Sequence, residues 1–380
     1  MKEKVAFYPF CSEFIAFVKH FDKLQEQYSL QKVYAPSGFG LLGKDVAHAC
    51  NYTDVGMIVS EFSDASDPAW QILMIAEPMN REVHQWDELA RDIGEATLKE
   101  GKSVHYYTCS ERNIPYNIAI LKKAYPDSLV FSTAEAENIK FTTSGNDYAL
   151  IDVPVILVGG LITEAETFEI ICSIANCFRT DGLHPLVLSK SALGALFGFY
   201  SASHITDNLQ LREAEKIYGL NSFVQEIIRR EMPDIVVLEA PGAVMRLNDK
   251  VPSDCGIRAM IMCEAVAPDY LVCCVPFEIC IGDLLSAFSD RFTISLGSPI
   301  TGVHISNIII DGASMTQNKK ITVTYADLSN VEVQLEKEAK TSEIPMYDMV
   351  EDGTDELCLF IRNELEFIQI GGMLNDTRKN

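Results

Sequence analysis

The sequence predicts an α/β protein: two doubly wound, mainly parallel-sheet (Rossmann-like) domains followed by a small acidic C-terminal extension. Three observations lead there. Short apolar runs alternate with amphipathic segments of helical period through most of the chain, the pattern of parallel strands joined by crossover helices. At 380 residues the chain is longer than a single core readily supports. The last 65 or so residues then change character, becoming strongly acidic. These features divide the chain into residues 1–147, 148–315 and 316–380.

In the first domain, residues 5–9 form a short apolar strand. Residues 13–25 have helical periodicity, with Phe14, Phe17, Val18 and Phe21 on one face. Residues 32–35 read as the next strand. The loop Pro36-Ser-Gly-Phe-Gly-Leu-Leu-Gly-Lys-Asp45 follows, and its Gly38, Gly40 and Gly43 permit tight turns or a close approach of the backbone to a ligand. With Lys44 and Asp45 the loop is a candidate ligand site at the strand ends, although a turn before a helix start explains the same residues. Residues 72–76 are a buried strand, 84–100 a helix, 103–109 a strand and 113–124 a helix. A polar stretch over residues 133–147 separates the two domains.

The second series begins with a strand over residues 149–158, which runs into Gly159-Gly160, a short turn and a helix over residues 164–178. Residues 185–188 are a strand and 209–230 a long amphipathic helix. Residues 233–242 form a buried strand ending in an acid and a turn, and residues 270–275 and 302–310 are further apolar strands. Beyond these, residues 321–325 read as a strand. Residues 331–367 hold eleven acidic residues against three basic ones, with Leu357, Phe360, Ile361 and Leu365 spaced as a final amphipathic helix. A solvated acidic face is the simpler reading of this segment, and a partner-docking tail the sharper one.

Composition narrows the function. The net charge of −23 argues against nucleic acid, which demands a basic surface, and against anionic membranes, while favouring basic partners such as Lys- or Arg-rich peptides. The sequence contains neither a run of about 20 apolar residues nor a signal-peptide pattern, so a cytoplasmic protein is expected. The eleven cysteines include no C-x-x-C. They read as reduced, buried small side chains, with recruitment of a metal by Cys255, Cys263 and Cys280 as the sharper alternative.

The most informative chemistry lies in residues 151–171. Set against G-x-x-x-x-G-K-[ST], Gly160 takes the first glycine and Thr167 the hydroxyl position, while Ala165 replaces the second glycine and Glu166 the lysine. Gly159, Gly160, Thr163 and Thr167 are therefore candidates for nucleotide or anion binding at a helix N-terminus, where backbone N–H groups favour negative charge even without the lysine. Glu239 stands where a nucleotide hydrolase places the acid that holds Mg²⁺, and Asn307 ends a later strand from which it can reach a base edge. Thr167 and Glu239 are the candidate Mg²⁺ ligands. Lys190 offers a cation from another direction, but Ser189-Lys190-Ser191 after a strand reads more simply as a helix cap. His204 and His304 are isolated, and no catalytic residues are assigned.

The order of turn, acid and Asn resembles the dethiobiotin-synthetase-like branch of P-loop proteins. This resemblance implies a P-loop-NTPase-like second domain with Thr167 and Glu239 on Mg²⁺ and Asn307 on the base. Glu166 and Ala165 make the phosphate loop degenerate, and Ala240-Pro241 interrupts the usual Gly-rich turn. Further stretches resemble the peptide maturation system proteins encoded beside ribosomal peptide precursors and radical-SAM enzymes, mainly in clostridia. They are Tyr8-Pro-Phe, the loop Ser37 to Asp45, Pro154-Val-Ile-Leu-Val-Gly-Gly, Leu196-Phe-Gly198, residues 233–242 and Pro268-Asp-Tyr270, within residues 4 to 310. This second resemblance implies an accessory role in natural product biosynthesis. Such a protein would bind a precursor peptide or a radical-SAM maturation enzyme, with at most weak nucleotide binding. The alternative is an ATP- and Mg²⁺-dependent enzyme that activates a carboxylate or amide of the peptide.

Overall fold

The computed structural model describes residues 2–376 apart from 78–85, 109–113, 134–138, 164, 250, 252–254, 318, 320 and 352. Its first half contains β1 (Glu3–Tyr8), α1 (Ile15–Leu24), β2 (Tyr28–Ala35), β3 (Val59–Glu61), β4 (Ile72–Ala76), α2 (Trp86–Lys99), β5 (Ser103–Thr108), α3 (Tyr116–Ala124) and β6 (Leu129–Thr133). The six strands make one parallel sheet in the order β3-β2-β1-β4-β5-β6. Strand β4 is buried at all five positions, as its unbroken run of apolar residues requires when helices cover both faces. Strand order reverses between β1 and β4, which opens a crevice at their carboxyl ends.

The second half runs through β7 (Val155–Gly160), α4 (Thr167–Thr180), β8 (Pro185–Leu188), α5 (Ser203–Thr206), α6 (Glu213–Glu231), β9 (Ile235–Ala243), α7 (Ile257–Val266), β10 (Tyr270–Pro276), α8 (Gly282–Leu296) and β11 (Gly302–Ser306). It ends with β12 (Ile308–Ile310), α9 (Gly312–Gln317), β13 (Val323–Tyr325), α10 (Leu328–Glu338), β14 (Met346–Tyr347) and α11 (Gly353–Asp376). The second parallel sheet has the order β14-β11-β10-β7-β9-β8, while β12 and β13 form a small antiparallel ribbon. Two six-stranded parallel sheets flanked by helices confirm the α/β, Rossmann-like class. Among the described residues, no helix is long and apolar enough to cross a membrane.

The segment set apart as an acidic extension, residues 316–380, is integrated into the second unit. Strand β14 pairs with the edge strand β11, and β13 pairs with β12. The buried side of α11 supplies Leu357, Cys358 and Ile361 to the core. Its Asp355, Glu356 and Glu364 are on the solvated face of a packed helix. One strand expected over residues 302–310 is two: β11 ends at Ser306 in the large sheet, and β12 pairs with β13 in the separate ribbon.

A single hydrophobic cluster runs from Val5, Phe7 and Phe17 of the first unit to Ile170, Ile174 and Phe178 of α4. Helices α1 and α4 meet across this junction, and the rings of Phe17 and Phe197 stack at 6.0 Å. The two sheets are therefore joined by a shared core. A smaller polar space is left where both present their carboxyl ends.

Candidate functional site

Strand β7 carries Gly159 and Gly160 at its buried end because neighbouring chain passes too close for a side chain. A Cβ on Gly159 would stand 2.2 Å from Val244 Cγ1. One on Gly160 would stand 2.3 Å from Ala165 Cβ and 2.7 Å from the Ile162 carbonyl oxygen. Adjacent β9 makes room with a bulge: Val158 pairs with Glu239, but Gly160 pairs with Ala243. Residues Ala240-Pro241-Gly242 form that bulge, with Gly242 at φ +81°. The interruption read as a departure from a Gly-rich turn thus pushes Pro241 and Gly242 into the wall of a cleft.

The turn after β7 closes on itself. The Ala165 amide donates to the Ile162 carbonyl at 3.3 Å, and the Thr167 amide to the Ala165 carbonyl at 2.8 Å. Two N–H groups expected to face an anion are thereby spent on the loop, which weakens the anion-binding reading of this helix start. Thr163 remains at the cleft surface. Glu166, the residue in the lysine's place, is held elsewhere. Its carboxylate accepts from the Tyr52 hydroxyl of the first unit and lies 2.9 Å from His304 Nε2 on β11. The Met349 amide donates to His304 Nδ1 at 3.1 Å, so the ring carries its proton on Nε2 and donates it to Glu166.

Thr167 and Glu239 do meet. The Thr167 hydroxyl donates to Glu239 Oε1 at 2.7 Å, while Ser189 Oγ and the Lys190 amide donate to Oε2 at 2.7 and 2.9 Å. The Glu239 carboxylate is wholly buried, and such a charge needs both pairing and hydrogen bonds. Lys190 supplies the pairing: its ammonium donates to Thr167 Oγ1 at 3.0 Å and stands 3.6 Å from Glu239 Oε1. Ser191 does cap the turn Ala192–Phe197, accepting from the Leu193 amide. The Ser-Lys-Ser segment is thus a cap and a chemical cluster together. The sequence offers Lys190 as a cation but favours a helix cap, because only the adjacency of β8 and β9 brings it to Glu239.

Ser189, Lys190, Ser191 and Glu239 border a cleft of about 340 Å³. Glu13 and Glu77, which follow β1 and β4 of the first sheet, line it opposite Thr163, Lys190, Ser201, Ser203 and Arg258 of the second unit. Arg258 is paired with Asp207 at 3.0 Å. Charges of both signs and hydroxyl groups line the cleft beside the apolar surface of Leu188, Ala192, Pro241 and Met262.

Other candidates are not brought into this cluster. Asn307 is 2% exposed, and its amide donates to the carbonyls of Cys50 at 2.7 Å and Ala326 at 3.2 Å. It ties β12 and β13 to the first unit, and its N–H groups are committed to that joint instead of a base edge. In the glycine loop, no atoms lie within 4 Å of where a Cβ would stand on Gly38, Gly40 or Gly43. Their positive φ values (+97°, +73° and +75°), not close approach, account for the glycines. Asp45 accepts from the amides of Ala47, Val55 and Gly56 at 2.8 to 3.0 Å, a loop-organising role. Lys44 is exposed and lies 2.8 Å from His48 Nε2. His204 packs between the rings of Phe141 and Phe223. Among the described residues, no three His, Cys, Asp or Glu side chains converge as a metal cluster, Cys255, Cys263 and Cys280 included.

The sequence matches no family model and no curated relative. In structure it is similar to a DUF1611 family protein from Anabaena variabilis, with a TM-score of 0.58 at 13% identity over 94% of this chain and 98% of that one. Chloroplast FtsY from Physcomitrella patens aligns at a TM-score of 0.31 and 13% identity, covering 73% of this chain and 84% of that one. The 54 kDa signal recognition particle protein of Aeropyrum pernix, solved with GDP, aligns at 0.27 and 12% identity, covering 68% of this chain and 62% of that one. The last two are too distant to bear on function. At 13% identity the first speaks to the fold: a Rossmann-like α/β architecture shared over nearly the whole length of both chains.

Proposed function

We propose that this protein is a peptide-handling accessory factor that holds a polar segment or end of a peptide in the cleft between its two sheets, without nucleotide. The observation that carries this reading is the cleft itself. Two parallel sheets turn their carboxyl ends toward one space, where ligands of such sheets bind. Its walls carry Glu13 and Glu77 together with Arg258, which suits a ligand bearing both an ammonium and a carboxylate, as a peptide does. A volume of 340 Å³ accommodates a few residues. The surplus of acid over the whole chain favours a basic partner and speeds its encounter.

The alternative, an ATP- and Mg²⁺-dependent enzyme acting on a peptide carboxylate or amide, draws less support. A phosphate chain at this helix start would need the amides of Ala165 and Thr167 released from their carbonyls. It would also bring its charge near Glu166, Glu169 and Glu239 at one helix end, with Lys190 already paired. Calorimetric titration separates the two readings. Short Lys- and Arg-containing peptides with free termini are expected to bind with salt-sensitive affinity and to weaken in Arg258→Ala. Binding of ATP·Mg²⁺ that Glu239→Ala abolishes, with no response to any peptide, would replace the accessory reading by the enzymatic one.

A further inference from the structure

We infer that the Lys190 ammonium is the resident cation of a divalent-metal-type donor set, so that the Thr167–Glu239 site works without Mg²⁺ and becomes a metal site only when that lysine is removed. Lys190 has this part whether or not the cleft takes a peptide. A hydroxyl and a carboxylate converging beside a solvent-accessible cleft are hard oxygen donors of the kind Mg²⁺ takes with a remainder of water ligands. Here Thr167 Oγ1 and Glu239 Oε1 are 2.7 Å apart, and both face the Lys190 ammonium, at 3.0 and 3.6 Å. Glu239 is too deeply buried to stand charged alone.

One cation answers that need, and a second beside it would be repelled by the first. Ser189 Oγ and the Lys190 amide hold the other carboxylate oxygen, so Glu239 cannot turn to present both oxygens to a metal. The lysine itself is fixed at its backbone end. It stands two residues beyond the end of β8, its own amide is bonded to Glu239, and Ser191 caps the next turn. The ammonium is therefore delivered to the carboxylate by the fold, not by a flexible surface stem. Lys190 also lines the cleft, so truncating it extends the cleft toward Thr167 and Glu239 and gives a hydrated ion a way in. In this reading the charge that a bound ion would bring is written into the chain.

The test is calorimetric titration of the full chain with MgCl₂ and MnCl₂, alongside thermal unfolding at each metal concentration. The wild type should show no saturable binding and no rise in Tm. Lys190→Ala should be less stable, should bind Mn²⁺ or Mg²⁺ at least about tenfold more tightly than the wild type, and should recover Tm as metal is added. The double variant Lys190→Ala/Glu239→Gln removes the buried charge, and it should regain stability and lose the metal response. Saturable Mg²⁺ binding by the wild type overturns the inference, as does a folded Lys190→Ala protein blind to both metals. If Lys190→Ala does not fold, the double variant decides. Folding without a metal response supports the charge-balancing role. Failure to fold overturns it, because the lysine would then act through packing.

Discussion

Replacing Glu169 by Gln should loosen the junction between the two units, by an amount the structure sets. Glu169 sits in the first turn of α4 and is 2% exposed. Its Oε1 lies 2.7 Å from His20 Nε2 and 3.0 Å from Lys19 Nζ, both on α1 of the other unit. Burial raises the carboxyl pKa, but His20 and Lys19 outweigh that and hold it at about 2, against 4.5 for an ordinary glutamate. Because the folded pKa lies below the unfolded one, the stabilisation is fully present above about pH 4.5 and is lost as pH falls toward 2. That difference corresponds to about 3 kcal/mol at neutral pH, in line with the roughly 3–5 kcal/mol lost when a buried pair is broken from one side. Urea unfolding of wild type and Glu169→Gln, followed by circular dichroism at pH 7, 5, 4 and 3, reads this directly. The variant should be less stable by about 3 kcal/mol at pH 7, with the gap closing as the pH drops. A gap that stays constant with pH, or one below about 1 kcal/mol at pH 7, refutes the argument.

Three further outcomes are expected. Gly160→Ala must move Ala165 and the Ile162 carbonyl together. It should lower stability by about 1–3 kcal/mol or more, measured as a fall in the urea midpoint. Tyr52→Phe takes from the Glu166 carboxylate its partner across the junction and leaves it only His304 of its own unit, and should cost about 1–3 kcal/mol in the same assay. Asn307→Ala removes the bond that fastens this joint to the Cys50 carbonyl of the first unit and the one to the Ala326 carbonyl beside β13. It should speed proteolysis within residues 308–325 while leaving peptide affinity at the cleft unchanged; a loss of affinity there would return Asn307 to the binding site.

Much of the fold was legible along the chain because parallel strands buried on both faces leave a local signature. The apolar runs at Ile72–Ala76 and Pro185–Leu188 coincide with the strands formed. Helix edges moved by a few residues, as at α6, where the Arg212 amide donates to the Glu215 carboxylate and the helix starts four residues after the expected residue 209. Two-residue β14 was not legible. So short a strand has no period of its own and exists only because β11 offers an open edge.

The functional readings divide along the same physical line. From the sequence alone came the identity of the acid within β9, the hydroxyl at the start of α4 and the glycines that let β7 and β9 approach. Each of these is a local requirement of strand, turn or helix end. Which charges meet was decided by tertiary structure. Strand order β7-β9-β8 lays Lys190 against Glu239 and Thr167, and docking of the first unit gives Glu166 to Tyr52 and Asn307 to Cys50. The loop that looks in one dimension like a phosphate site missing its lysine is, in three, folded onto its own carbonyls, with a lysine arriving from the second strand over. Charge pairing is a matter of distance through space, and residues 23, 49 and 72 positions apart in this cluster have no distance until the sheet assembles.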